Sequence, residues 1–342
     1  MQAYLHIGVM KSGTTFLQEA VFPNVVGSDF IGKFHDSVRG IASAHSCYGS
    51  DMEQLVNGLT TQSKAAYKLK DAKNQFCRIK KMWTDDGWSG QRFYISFESM
   101  TDAQHISNGE CLKRIASLFE GDDVSILVTV RNPISAMKSL YVELSGNAAQ
   151  GRTTYAQWCR ELLAQSSARN TPIPWPLMMY RYDFLESDVK KYFPKSRVTF
   201  IPMELLQIND LAYAMMLQEA FDIPQENVLP LLRADVGQRY KRSSLKNIVG
   251  SGQVGVMCSL NRILGRYFPG FNYVQARLFR GMKEVLAKRI VCRFIGDSEA
   301  VDKELAEFFR PGVMRIRDSV NCDFESLGYP LSYKMEHSTE LS

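Results

Sequence analysis

The chain has 342 residues, of which 45% are hydrophobic and 23% charged, and its net charge is +5. That is an ordinary globular composition, with a core large enough to need no staples, and a mild positive excess that suits an anionic small ligand but is too small to argue for nucleic acid. Seven cysteines, an odd count at irregular spacing with no C-x-x-C pair, read as reduced thiols rather than a disulfide framework, and without a run of about 18 apolar residues no transmembrane helix is expected.

The first strand is expected at Ala3–Ile7, close enough to Met1 that no room is left for a signal peptide; with reduced thiols, this predicts a cytoplasmic location. A tight segment, Gly8-Val9-Met10-Lys11-Ser12-Gly13, follows, and Thr14-Thr15 opens a helical pattern through Phe16, Leu17, Ala20 and Val21. Strand, glycine-bearing turn and helix start together make a cradle for a phosphate: the turn points N–H groups inward and the helix N-terminus adds partial positive charge. Pro23 to Ser50 is polar and reads as a long loop. Asp51 to Trp83 has helical spacing and later a basic face (Lys64, Lys68, Lys70, Lys73, Arg78, Lys80, Lys81), either solvated or meeting an acidic acceptor.

Arg92–Phe97 is β-rich and reads as the second strand, ended by Glu98-Ser99; a helix is expected over Cys111–Phe119. Val124–Val130 is a continuous apolar run, as suits a central parallel strand buried on both faces. Arg131-Asn132-Pro133 ends it, with the proline near the first turn of the next helix. This order predicts an α/β fold with a central, mainly parallel sheet flanked by helices. Beyond Thr153 the pattern turns mostly helical, over 154–168 and 177–193, interrupted by a short strand at Arg197–Pro202. A helix over Leu211–Ala220, an irregular basic segment over 224–244, and helices near 245–267, 274–295 and 299–310 complete it. The expectation is a single domain over 1–342: an α/β cofactor-binding core over 1–208 and a mainly helical elaboration over 209–342.

The spacing of Gly8 and Gly13 is that of a Walker A loop, G-x-x-x-x-G-K-[ST], but Thr14 stands where the lysine belongs and the lysine has moved to position 11. A metal-bound triphosphate is thereby disfavoured, and a donor with one phosphate at the loop and a transferable group beside Lys11 fits better. This K-S-G-T-T loop resembles the 5′-phosphosulfate loop of sulfotransferases, which use 3′-phosphoadenosine 5′-phosphosulfate (PAPS). A second constellation lies at the exit of the third strand, where ligands of open α/β sheets bind. Arg131 and, eight residues on, Ser139 can converge on one anion, an arginine fork plus a hydroxyl. Sulfotransferases carry an arginine and a serine at this spacing for the 3′-phosphate of PAPS. The tail residues Phe324 and Leu327-Gly328-Tyr329-Pro330 also look like the C-terminal end of bacterial carbohydrate-type sulfotransferases. Met10 and Phe16 depart from the proline and tryptophan of the cytosolic small-molecule branch, and its Lys-x-His context is missing.

The resemblance implies a P-loop NTPase-like sulfotransferase fold and a PAPS-dependent O-sulfotransferase, with adenosine 3′,5′-bisphosphate as leaving product and a hydroxyl-bearing acceptor, a carbohydrate. Lys11 would stabilise the leaving group, and Lys11, Ser12, Gly13, Thr14 and Thr15 would hold the 5′-phosphate. Arg131, Ser139 and a late basic cluster, Lys241, Arg242 and Ser243, would hold the rest of the nucleotide. Glu98, just past the second strand, is the candidate base, with His35 and His45 as alternatives. No metal is expected, since the five histidines are dispersed. The competing readings are a P-loop nucleotide kinase and a non-catalytic nucleotide-binding protein.

Overall fold

A computed structural model describes residues 1–31, 34–36, 41–43, 49–85, 91–96, 101, 107–144, 154–168, 171–239, 298–320 and 322–331. In chain order β1 (Gln2–His6) is followed by α1 (Thr14–Phe16), a π-helical turn (Leu17–Val21) and α2 (Phe22–Val26). Then come β2 (Phe30–Ile31), β3 (Phe34–Asp36), β4 (Ile41–Ser43), α3 (Gly49–Thr60), α4 (Leu69–Asp85) and β5 (Arg92–Ser96). The chain continues through α5 (Asn108–Leu118), β6 (Asp123–Val130), α6 (Pro133–Leu144), α7 (Tyr155–Ser167), α8 (Trp175–Met178) and α9 (Tyr182–Tyr192). After these stand β7 (Arg197–Pro202), α10 (Leu205–Ile208), α11 (Asp210–Phe221), α12 (Gln225–Arg239) and α13 (Glu299–Arg317). They fall into two units, Met1–Pro133 with Leu177–Leu232 and Ala306–Ser342, and Ile134–Pro176 with Arg233–Leu305.

The first unit is built on a five-stranded sheet in the order β2-β5-β1-β6-β7, parallel throughout. β1 lies in the middle. The chain leaves it for β2, returns to β5 on one side and then crosses to β6 on the other, so the switch of direction falls at the end of β1. Register sorts the faces. Ala3, Phe93 and Val124 share one row and face, as do Leu5, Ile95 and Ile126. Phe76 of α4 and Phe119, just past α5, cover this side, with ring centroids 5.9 Å and 5.3 Å from Phe93. On the other face Tyr4 and Tyr94 stack at 4.4 Å, and Phe221, ending α11, meets both edge-on. Phe22 of α2 packs 5.4 Å from His6 on this face. Helices therefore cover both faces, and each ring taken out of water contributes roughly 1.5–3 kcal/mol.

The segment read as a long loop is partly structured. It holds α2, the edge strand β2, in which Phe30 pairs with Tyr94, and the antiparallel pair β3–β4. Its polar composition hides these pieces because each is too short for periodicity to show. The helical stretch expected over 51–83 is two helices, α3 and α4, and α3 has a reason to end. The hydroxyls of Thr60 and Thr61 turn back on the carbonyls of Val56 and Asn57, and the buried Arg114 donates through Nη1 to Gly58 O and Gln62 O, both at 2.8 Å. The basic stretch read as irregular contains α12, which tolerates Pro230 in its interior.

In the second unit α6 and α7 pack through Tyr141, Tyr155 and Trp158. Asp302, in the first turn of α13, accepts from Lys138 Nζ at 2.6 Å and Ser298 Oγ at 2.8 Å. Burial pushes the Cys159 thiol up to about 12, so it packs here as an inert apolar group. Among the described residues no helix is long and apolar enough to cross a membrane.

Candidate functional site

Past His6 the chain stays tied to β6: Ile7 N–H donates to Leu127 O at 2.9 Å and Val9 N–H to Thr129 O at 3.3 Å. Only then does it turn. Lys11 is left-handed at φ 67° and Gly13 at φ 77°. Left-handed backbone costs a non-glycine residue about 1–2 kcal/mol, and such outliers gather at functional sites. Gly8 is a glycine for want of space: a Cβ there would lie 2.0 Å from Thr14 Cγ2, 2.8 Å from Thr129 Oγ1 and 3.0 Å from His6 Nε2.

Four consecutive carbonyl oxygens of this turn are each engaged by a protein donor. Thr101 Oγ1 donates to Gly8 O at 2.9 Å, Ser12 Oγ to Val9 O at 2.5 Å, Tyr180 OH to Met10 O at 3.3 Å and Arg131 Nη1 to Lys11 O at 3.0 Å. An anion is repelled by carbonyl oxygens and attracted by N–H groups, so this arrangement removes the groups that would oppose it. The last of these bonds joins the two motifs found in the sequence, 120 residues apart.

The strand exit that carries Arg131 is itself held. Tyr182, fully buried on α9, uses one hydroxyl twice: it accepts from Arg131 N–H at 3.2 Å and donates to Arg131 O at 2.6 Å. Glu204, two residues past β7, accepts from Asn132 N–H at 2.9 Å and from Tyr329 OH at 2.9 Å. Asn132 Nδ2 donates to Gly328 O at 2.5 Å. The tail thus packs beside the Arg131 turn. Burial raises the Glu204 carboxyl above its ordinary range, against the opposing pull of Asn132 N–H, the Tyr329 hydroxyl and the Arg131 charge.

Beneath the loop lies a buried polar cluster. His6 meets Ser96 Oγ through Nδ1 at 2.7 Å and Thr129 Oγ1 through Nε2 at 3.1 Å; Thr129 Oγ1 meets Ser12 Oγ at 2.8 Å. Gln18 Nε2 donates to Ser96 Oγ at 2.9 Å. Burial lowers the His6 imidazole to about 3, so it is neutral at ordinary pH.

Lys11, Gly13, Thr14 and Thr15 of the expected set therefore stand on one loop, with Arg131 in contact with it. Ser12 is turned inward, 1% exposed, and its N–H and O–H both go to Val9 O. Ser139 is half-buried on α6 in the second unit. Glu98, Lys241, Arg242, Ser243 and His45 lie outside the described residues, and for His35 only the backbone, on β3, is described. Sequence reasoning missed Tyr182, Glu204, Thr101 and the His6 cluster. Two signals were there to be used: a histidine inside an otherwise apolar strand, and a glutamate just past a strand end, the rule already applied to Arg131. Among the described residues no cluster of three His, Cys, Asp or Glu could hold a metal.

No family model matches the sequence, and no curated protein does. Among solved structures the chain is similar to a sulfotransferase from Alicyclobacillus acidocaldarius, with 12% sequence identity and a TM-score of 0.43, over 72% of this chain and 93% of that one. The likeness assigns no residue of this chain a role.

Proposed function

We propose that the chain is a sulfotransferase that moves a sulfuryl group from PAPS to an acceptor hydroxyl, on a carbohydrate. One observation carries the reading: Arg131 reaches the backbone of Lys11 in a loop whose neighbouring carbonyls are all engaged by protein donors. An arginine side chain held against a glycine-bearing turn that also carries a lysine suits an anion with more than one charged group. Gly13, Thr14 and Thr15 hold the 5′-phosphate, with Ser12 as an internal brace. Arg131 holds the 3′-phosphate, and Ser139, Lys241, Arg242 and Ser243 are the further candidates that the sequence offers for the nucleotide.

In the transfer the acceptor oxygen bonds to sulfur as the bond from sulfur to the phosphate oxygen breaks. Negative charge grows on that departing oxygen, and Lys11 neutralises it. The acceptor proton passes to a base, Glu98, with His35 and His45 as the other candidates. The carbohydrate acceptor rests on the tail residues Phe324 and Leu327–Pro330, on Glu98 and on the missing Lys-x-His context.

Calorimetry with adenosine 3′,5′-bisphosphate, with and without Mg²⁺, tests the cofactor. Metal-independent binding is expected, and binding of ATP with Mg²⁺ alone sinks the proposal in favour of a kinase. Incubation with labelled PAPS and a panel of glycans tests the transfer. Binding without transfer to any of them points to a nucleotide-binding protein that is not an enzyme.

A further inference from the structure

The contacts under the loop fix the direction of every proton between His6 and Val9. A carbonyl oxygen only accepts, so the single Ser12 hydroxyl proton goes to Val9 O. Ser12 Oγ must then accept from Thr129, whose hydroxyl proton is thereby used. Thr129 Oγ1 can meet His6 only as an acceptor, which requires a proton on Nε2. With the ring neutral, Nδ1 is bare and accepts from Ser96 Oγ, which accepts in turn from Gln18 Nε2. The amide orientation of Gln18 is fixed separately, because its nitrogen also donates to Ser96 O at 3.3 Å. The result is one unbroken, one-way chain from Gln18 to Val9 O.

We propose that His6 is the positioning residue of the anion loop: as the Nε2–H tautomer it sets a directional hydroxyl chain that holds Ser12 inward and Val9 O out of the cradle. Three observations converge on this. The cluster is wholly buried, with His6, Gln18 and Thr129 at 0% exposure and Ser12 and Ser96 at 1%. Gly8 lies directly on the His6–Thr129 contact, where no Cβ would fit. Each contact from Gln18 Nε2 to Val9 O has a consistent donor and acceptor, while Gln18 Oε1, at the far end of the cluster, is buried without a hydrogen-bond partner among the described residues. Reversing His6 to the Nδ1–H tautomer would set a bare nitrogen against Thr129 and force that hydroxyl round. Ser12 Oγ would then lose its donor, and its own proton could turn from Val9 O to Thr129, leaving that carbonyl the Ser12 N–H alone. The proposal rests on the reading of the loop as an anion cradle, but it concerns the protein's own protons and can fail separately.

Long-range ¹H–¹⁵N correlation on histidine-labelled protein at neutral pH reads the tautomer, with the His6 signals identified by their loss in His6→Gln. Protonated Nε2 with bare Nδ1 supports the proposal; protonated Nδ1, or an imidazolium, overturns it. Three variants read the positioning role. Glutamine at position 6 places an amide N–H where Nε2 stood, asparagine places it where Nδ1 stood, and Thr129→Val cuts the chain at constant shape. Hydrogen exchange at the Ser12 amide should speed about tenfold in His6→Asn and Thr129→Val, the worth of one buried hydrogen bond, and stay near wild type in His6→Gln. Affinity for adenosine 3′,5′-bisphosphate should follow the same order. Equal exchange in all the variants and wild type overturns the positioning role. If His6→Asn fails to fold, Thr129→Val decides. Wild-type protein that does not bind the bisphosphate sinks the functional reading, while the tautomer spectrum and Ser12 exchange still judge His6.

Discussion

At Lys11 shape and chemistry can be pulled apart. The residue pays for its left-handed φ of 67° with strain that glycine would not feel. Lys11→Gly is therefore expected to keep or raise the thermal unfolding midpoint while abolishing sulfuryl transfer, and Lys11→Ala to abolish transfer without that gain. Retained transfer in either variant would remove the lysine from the chemistry. Arg131 has a different task. One of its N–H groups holds Lys11 O, and on the proposed reading the fork also meets the 3′-phosphate. Arg131→Ala should weaken binding of adenosine 3′,5′-bisphosphate by about 1.5–3 kcal/mol, the range of a charge-assisted hydrogen bond, as read by calorimetry. Unchanged affinity would refute the role assigned to it.

Among the elements, the exits of β1, β6 and β7 form one structure, although they lie far apart in the chain. Glu204 after β7 and Tyr329 in the tail brace the peptide after Arg131, and neither needs to touch a ligand. Tyr329→Phe leaves Glu204 one partner short, and Glu204→Ala leaves both Asn132 N–H and Tyr329 OH without theirs. The first should cost about 1 kcal/mol and the second about 1–3 kcal/mol of stability, with a parallel loss of bisphosphate affinity. Loss of stability with affinity intact would make the brace purely structural. Much of this level was legible in the sequence. The apolar run Val124–Val130 suited a strand buried on both faces, and K-S-G-T-T after Ala3–Ile7 read as a tight turn into a helix. What was not legible depends on partners that local pattern does not encode. Thr101, Tyr180 and Tyr182 matter because the fold brings their hydroxyls to particular carbonyls, and no spacing announces that. β2 and the β3–β4 pair are two or three residues long, below the reach of any periodicity.

For the molecule as a whole, stability toward acid has a definite source in the first unit. Glu186, fully buried on α9, accepts from Lys190 Nζ at 2.6 Å and from Arg315 Nε on α13. Burial alone would raise its carboxyl; Lys190 and Arg315 outweigh that and hold it below the ordinary range. A carboxyl lowered on folding contributes fully above its unfolded value, about 4.3, and loses its contribution as pH falls through the folded one. Wild-type protein should therefore lose thermal stability more steeply than Glu186→Gln between about pH 5 and 3. Parallel curves for the two proteins would place the acid sensitivity elsewhere. His6 acts in the same direction: a ring held near 3 must gain a proton when the chain unfolds, so stability also declines as pH drops below about 6.5.

The sheet order has a consequence in time. Gln2 finds its register partners at Arg92 and Asp123, so β1 has no neighbour until β5 and β6 have been made. On the ribosome the first strand would wait through roughly ten seconds of elongation, at about 5–20 residues per second, with Ala3, Tyr4 and Leu5 unshielded. No nascent chain that stops short of Val130 has a finished cradle, because the carbonyls that anchor Ile7 and Val9 are those of Leu127 and Thr129. Assembly of the centre therefore waits for β6, and the edge strand β7 joins the sheet later still.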